Sequence, residues 1–112
     1  MSMEHLPIDF QLISENSLSS LHLAIIYLRG LSELDHKKIF GELRENLIGV
    51  QLHYLPVHLH PYYRELGFGV GDYPSSEEYA KSAMSIPIYP GLNIEDQDMV
   101  IKNLEIIISK YF

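Results

Sequence analysis

The chain contains apolar residues in two kinds of pattern, a continuous run and a helical repeat, and these patterns limit the folds that it can adopt. Residues 21–28 are apolar on both faces and rich in β-formers, which predicts a buried strand that ends at Arg29 and Gly30. Two later stretches carry apolar residues at helical spacing, with charged side chains between them. The first stripe is Leu34, Ile39, Phe40, Leu43 and Leu47, and the second is Val100, Ile101, Leu104, Ile107, Ile108 and Tyr111.

Capping residues and prolines predict the remaining elements. Ser32 or Asp35 can cap the first amphipathic helix, Gly49 can end it in a left-handed turn, and Asn93 can cap the last helix. Further strands are predicted over residues 50–55 and 84–89, and further helices over 61–66 and 75–83, the latter opened by Ser75 or Ser76. The order β-α-β-loop-α-β-α predicts an α+β fold, a three-stranded sheet with helices packed on one face. Strand order stays open, although Pro87 disfavours a central position for the last strand.

Length and charge exclude several classes of protein. We expect one domain over residues 1–112, with a poorly patterned lead-in at 1–17 and a His/Pro/Tyr-rich loop at 56–75. Fifteen acidic residues against eight basic ones argue against nucleic-acid binding. No stretch approaches the ~20 apolar residues of a membrane helix, and the first residues lack the pattern of a signal peptide. The chain has no cysteine, which excludes disulfides and thiolate chemistry, and we expect a cytoplasmic protein.

Histidine, tyrosine and proline are concentrated in residues 53–63, which read HYLPVHLHPYY. If this stretch were extended, His58 and His60 would share a face and His53 could complete a three-histidine metal site. The two prolines disfavour such a strand, and the rings could instead pack under the loop with their nitrogens bonded to backbone carbonyls. A third interpretation is a recognition loop, because His and Tyr offer apolar bodies with polar tips that suit a sugar or a cofactor ring.

Other candidate chemistry is weakly indicated. Glu77 and Glu78 fall in the first turn of a predicted helix, where the helix dipole is a sufficient reason for negative charge. Residues 67–71 contain three glycines but lack the spacing of a phosphate-binding loop. The serines lie in no nucleophile elbow. We therefore assign no catalytic residue from these features.

Several ordered motifs resemble the DegT/StrS-type sugar aminotransferases. Residues 49–63 (GVQLHYLPVHLHPYY) resemble the signature of the family's small domain. The similarity continues in 71–74 (GDYP), 85–92 (SIPIYPGL) and 95–101 (EDQDMVI), and upstream in 19–23 (SSLHL), where Leu21 replaces the usual Trp. It covers about residues 17–110. Within the family, the chain most resembles transaminases that aminate a UDP-linked 4-keto-6-deoxy-N-acetylhexosamine on the route to pseudaminic acid.

The resemblance implies a PLP-dependent enzyme of fold type I, usually a homodimer, with glutamate as the amino donor. It implies a mainly antiparallel sheet and identifies the chain as the C-terminal small domain, either a truncated gene product or a fragment. In this family a large N-terminal domain holds the cofactor and supplies the Schiff-base lysine. No lysine of this chain lies in such a motif, so we expect the fragment to bind no cofactor itself and to be inactive alone.

The resemblance also implies which residues face the substrate. His53 is the first candidate to contact the nucleotide sugar, and Tyr54 and His58 are the next. Their expected role is to orient hydroxyl or keto oxygens rather than to move protons. The alternatives are a stand-alone binding or dimerisation module that reuses this domain, and a small histidine metal protein. Loss of the large domain would expose an apolar face, so we expect a homo-oligomer.

Overall fold

The computed structural model describes residues 3–112. Three strands are present, β1 (Ile8–Phe10), β2 (Ala24–Leu28) and β3 (Ala83–Ile86). The α-helices are α1 (Glu33–Glu45), α2 (Pro61–Glu65), α3 (Pro74–Ser82) and α4 (Ile94–Ile108), and Val57–Leu59 forms a 3₁₀ turn. Among the described residues, no helix is both long and apolar enough to cross a membrane.

The sheet is antiparallel throughout, in the order β1-β2-β3. Ile8 pairs with Leu28, and Ile26 pairs with Met84, so these four side chains share one face. The predicted α+β fold with a three-stranded antiparallel sheet is confirmed. The poorly patterned lead-in over residues 1–17 supplies β1, an edge strand of only three residues that the predicted order of elements did not include.

The strand predicted over residues 50–55 is wrong, because this stretch forms only one bridge, between Gln51 and Ser85. Two backbone hydrogen bonds of 3.1 and 2.8 Å join these residues. The neighbouring pairs cannot form. Pro87 has no N–H to donate, while the Ala83 N–H bonds to the Tyr79 carbonyl and the Ala83 carbonyl accepts from His36 Nε2 at 3.0 Å.

The ends of α1 show one correct and one incorrect prediction. Ser32 caps the helix in a reciprocal capping box with Asp35, as the sequence predicts. The helix does not continue to Gly49. Instead Leu47 adopts a left-handed conformation (φ 62°), and the Ile48 N–H reaches back to the Leu43 carbonyl at 2.9 Å. This turn buries Ile48 and leaves Leu47 exposed.

The core lies between the sheet face and the two long helices. Its members are Leu6, Ile8, Ile26, Leu28, Ile39, Leu43, Ile48, Val50, Met84, Val100, Leu104, Ile107 and Ile108. Four of the six residues predicted for the apolar stripe of α4 are buried (Val100, Leu104, Ile107 and Ile108). The cap is as predicted, since Asn93 Oδ1 accepts from the Asp96 N–H at 2.8 Å. Leu34, assigned to the stripe of α1, is exposed. The helix α3 begins at Pro74 with Tyr73 as its N-cap, not at Ser75 or Ser76, because proline suits the first helical position.

Candidate functional site

One side of the molecule is formed by residues 52–73, which we call the 52–73 segment. It contains the 3₁₀ turn and α2, so it has more regular structure than the loop predicted over 56–75. Its side chains are largely outside the core, and His58 is its one buried residue. The predicted short helix at Pro61 is confirmed.

His53 is fixed against the edge of the sheet. Its Nε2 forms a 2.8 Å hydrogen bond with Oγ of Ser85, a buried residue of β3. Its Nδ1 is buried and has no hydrogen-bond partner among residues 3–112. An unpaired buried polar atom costs on the order of 1–3 kcal/mol, so this nitrogen marks a place where a further group would be stabilising.

Tyr54 lies beside His53, with its ring edge-on at a centroid distance of 4.7 Å. Its side chain is 72% exposed. Both residues line a cavity of about 320 Å³, which we call the His53 cavity. The remaining lining is mostly apolar, with Glu33, His36, Lys37, Glu77, Tyr79 and Lys81 as its charged or titratable members. The structure therefore brings together two of the three residues that the resemblance assigns to the substrate.

His58 lies apart from that pair. Its Nε2 bonds to Oε1 of Glu77 at 2.8 Å, and the two side chains are only 7% and 11% exposed. The Glu77 carboxylate also accepts from the Gly71 N–H at 2.7 Å. The hydrogen bond with His58, followed by that from Gly71, holds the pKa of the Glu77 carboxyl below its ordinary value. These contacts attach the 52–73 segment to α3.

The histidines do not converge on a shared metal site. His60 Nε2 donates to the Leu55 carbonyl at 3.1 Å, while His53 and His58 bond to Ser85 and Glu77. Within the part of the chain that the structure describes, no group of three or more His, Cys, Asp or Glu side chains could hold a metal ion. The packing interpretation holds for His60 only in part, because its ring bonds to a backbone carbonyl but the residue is exposed. His36, outside this stretch, is buried and makes a bond of the same kind.

The lysines do not fit a covalent cofactor. All five lysines are exposed. Lys37 pairs with Glu33 at 3.2 Å, and Lys110 pairs with Glu42. Lys81 lines the His53 cavity, but its side chain remains at the surface. A Schiff base needs a desolvated, positioned amine, and no lysine of the chain has that environment.

Sequence reasoning missed two residues that organise the site. Glu77 was explained by its place in the first turn of α3, and Ser85 was not singled out. Their histidine partners are 19 and 32 residues away in sequence. Such contacts become visible only once β3 and α3 are placed beside the 52–73 segment.

Comparison with known proteins gives a consistent result. The sequence profile of the DegT/DnrJ/EryC1/StrS aminotransferase family matches residues 2–105. The spore coat polysaccharide biosynthesis protein SpsC of Bacillus subtilis is 39% identical over 63 residues, which are 55% of this chain and 16% of SpsC. The UDP-4-amino-4,6-dideoxy-N-acetyl-beta-L-altrosamine transaminase of Campylobacter jejuni (serotype O:2) is 30% identical over 98 residues, 88% of this chain and 26% of that enzyme.

A solved structure has the same fold. The PLP form of the putative sugar aminotransferase Spr1654 from Streptococcus pneumoniae superposes with a TM-score of 0.87 at 28% sequence identity. The match covers 93% of this chain and 27% of Spr1654. The chain thus spans about a quarter or less of the length of these relatives.

Proposed function

The chain belongs to the DegT/DnrJ/EryC1/StrS aminotransferase family, and from this premise we propose that it is the substrate-side part of a PLP-dependent sugar aminotransferase. The reaction converts a nucleotide-linked 4-keto-6-deoxy sugar to the 4-amino sugar, with glutamate as donor. The Bacillus relative is named for spore coat polysaccharide biosynthesis and the Campylobacter relative for the transamination of a UDP-linked amino sugar. These names support our proposal of a role in cell-surface polysaccharide biosynthesis, and the resemblance of the motifs is our reason for proposing the pseudaminic-acid type. The cofactor is held by residues outside this chain, since the lysines here do not fit it.

The observation that carries the proposal is the placement of His53. Its hydrogen bond to Ser85 fixes the ring in the wall of the His53 cavity, with Tyr54 beside it. Nδ1 has no hydrogen-bond partner but is itself buried, so in this proposal a small shift of the ring or of its neighbours brings Nδ1 within reach of one sugar oxygen, with which it can donate or accept a hydrogen bond. Tyr54 adds an exposed aromatic face and a hydroxyl. In this proposal His53 and Tyr54 orient the sugar and leave proton transfer to the cofactor-bearing part.

His58 supports the site from a distance. Its bond to Glu77 keeps the 52–73 segment against α3, and Glu77 itself lines the His53 cavity. We propose that His58 shapes the cavity through this pair. His58 itself does not line the His53 cavity.

A second candidate function is a stand-alone binding or dimerisation module. It is favoured by the exposed apolar side chains of the 52–73 segment, which include Tyr54, Leu55, Val57, Tyr62 and Leu66. Exposed apolar patches of this kind mark interaction surfaces. In the first proposal the cofactor-bearing part covers them, whereas in the second a copy of the chain does. Sedimentation of the chain over a range of concentrations would show whether it forms the expected homo-oligomer.

A chimeric enzyme tests the first proposal. The region of the Campylobacter jejuni transaminase that matches this chain is replaced by the chain itself, and amine transfer from glutamate to the UDP-linked 4-keto sugar is measured. We expect an active chimera. His53→Ala should lower kcat/KM for the sugar by about tenfold or more, the effect of losing one well-placed hydrogen bond, with PLP content unchanged.

The matched control in the chimera is His60→Ala, since His60 is exposed and bonds only to a backbone carbonyl. Its kcat/KM should stay within about twofold of the parent chimera. A chimera that folds and binds PLP but does not aminate the sugar would contradict the proposal. Equal activity of the parent and His53→Ala chimeras would contradict the role of His53.

A further inference from the structure

The 52–73 segment and the start of α3 carry a continuous series of aromatic rings. Tyr62 and Tyr63 are in edge contact at 5.1 Å, and Phe68 lies 6.3 Å from the ring of Tyr63. The ring of Tyr73 is 6.3 Å from that of Phe68 and 4.9 Å from that of His58. An open space of about 280 Å³ is lined by four of these side chains together with Val57 and Ser76. We call it the aromatic cleft (Val57, His58, Tyr63, Phe68, Tyr73 and Ser76).

The lining of the aromatic cleft is apolar, partly exposed and free of unpaired formal charge. Tyr63, Phe68 and Tyr73 are all accessible to solvent. None of the six lining residues is Lys, Arg, Asp or Glu. Nε2 of His58 is already bonded to Glu77, so the polar groups left for a ligand are chiefly the hydroxyls of Tyr63, Tyr73 and Ser76.

We propose that the aromatic cleft binds an uncharged planar ring, the base of the nucleotide-linked substrate. This inference rests on the function proposed above. A base can stack one flat face on an exposed ring and needs few hydrogen bonds, which matches this lining. A pyranose would bring several hydroxyls into a cleft with few polar partners and leave some of them unpaired. A phosphate would find no cationic side chain in the lining.

The cleft adjoins the His53 cavity through one pair of residues. His58 lines the cleft, its bonded partner Glu77 lines the cavity, and Nε2 and Oε1 are 2.8 Å apart. The pair is largely buried, so a ligand with its base in the cleft and its sugar in the cavity would have to pass over it, with the linking phosphates outside both spaces.

Binding of uridine to the 112-residue chain tests the inference. Backbone amide shifts are followed by NMR as uridine is added, with N-acetylglucosamine in a parallel titration. We expect uridine to shift the amides of Phe68, Tyr73 and Ser76 saturably below about 10 mM. Phe68→Ala should weaken this binding by about tenfold, the usual effect of removing one stacking ring. Leu66→Ala is the matched control, because Leu66 is in the same segment but does not line the cleft.

The outcomes separate the inference from the function on which it rests. If the amide spectrum shows that Phe68→Ala perturbs the fold, Tyr73→Leu removes a stacking ring and should weaken uridine binding in the same way.

No uridine-dependent shift at these amides, or equal binding by the Phe68→Ala and Leu66→Ala chains, would overturn the inference. Shifts of the cleft amides by N-acetylglucosamine alone would overturn it while leaving a sugar-binding function intact. Uridine binding with an inactive chimera would retain the cleft and reject the aminotransferase proposal.

Discussion

Two regions are rich in large apolar residues: the 52–73 segment, and the core formed by the sheet with α1 and α4. They differ in how far these residues are buried. In the core, residues such as Leu104 are fully buried against partners within the chain. In the segment, Leu66 is 62% exposed, and only His58 is buried. The contrast shows that large apolar residues can form a buried core in one region and remain exposed at the surface in another. The predictions below test that division.

The largest effect is expected from a core substitution. Leu104→Ala should lower the free energy of unfolding by about 2–5 kcal/mol, because it removes buried methyl groups and leaves a cavity. Leu66→Ala removes the same atoms from an exposed site and should change it by no more than about 0.5 kcal/mol. Chemical denaturation of both chains measures the difference. Similar losses for the two variants would show that the segment is packed as part of the core.

Hydrogen exchange should distinguish the regions without mutation. Amides of β2 and α4 are expected to exchange only on global unfolding, whereas those of α2 and residues 66–72 should exchange through local opening. The reason is that α2 is five residues long and buries none of them. We expect protection at least about tenfold lower in the segment, measured by NMR at neutral pH. Equal protection of α2 and β2 would contradict this division.

Acid should release the 52–73 segment from α3 before the core unfolds. The pKa of Glu77 is lowered in the folded chain, so its contacts stabilise the fold above the ordinary carboxyl pKa and lose this contribution as pH falls through the lowered value. His58 is its main partner, and Lys81 is the other charge that acts on it. The Gly71 amide shift, followed from pH 7 to 3, should report the release.

Glu77→Gln should abolish that acid transition, because a neutral amide does not titrate over this range. Glu65→Gln is the matched control, since Glu65 is exposed and belongs to the same segment. Its Gly71 titration should match that of the parent chain. A transition that persists in Glu77→Gln would assign the acid response to another group.

The smallest effect concerns His36 in the core. Burial lowers the pKa of its imidazole, with the bond to the Ala83 carbonyl acting in the opposite direction. The folded state therefore resists protonation, and stability should fall as pH drops below about 6.5, the unperturbed value. His36→Gln can keep a donor for the Ala83 carbonyl without titrating. Unfolding at pH 7.5 and 5.5 should show a smaller pH dependence in that variant, and an equal dependence would contradict the assignment.

The sequence predicts the parts of the fold that are specified locally. The stripe of α4, its Asn93 cap and the Ser32 cap of α1 are all readable from nearby residues. The strand β1 was missed because it is three residues long with only Ile8 buried. Residues 50–55 have the pattern of a strand, but pairing stops at Gln51 because Pro87 has no backbone N–H and both backbone groups of Ala83 are bonded elsewhere.

The candidate site was predictable in composition but not in connectivity. The concentration of His and Tyr in residues 53–63 is compatible with a recognition loop among other interpretations, and the family resemblance points to His53. The sequence does not show that Ser85 fixes His53 or that Glu77 binds His58. These contacts arise when β3 and α3 pack beside the segment. Only the tertiary structure therefore shows that His53 lines the cavity whereas His58 attaches the segment to α3.

One experiment tests most directly the proposal that this chain contributes the substrate side and that the cofactor is held outside it. The purified chain is incubated with pyridoxal phosphate and reduced with borohydride, modified lysines are located by mass spectrometry, and amine transfer from glutamate is assayed on the same sample. Because all five lysines are exposed, we expect no lysine to be modified preferentially and no transfer to the 4-keto sugar nucleotide. Near-complete modification of a single lysine together with turnover would contradict the proposal that this chain contributes only the substrate side.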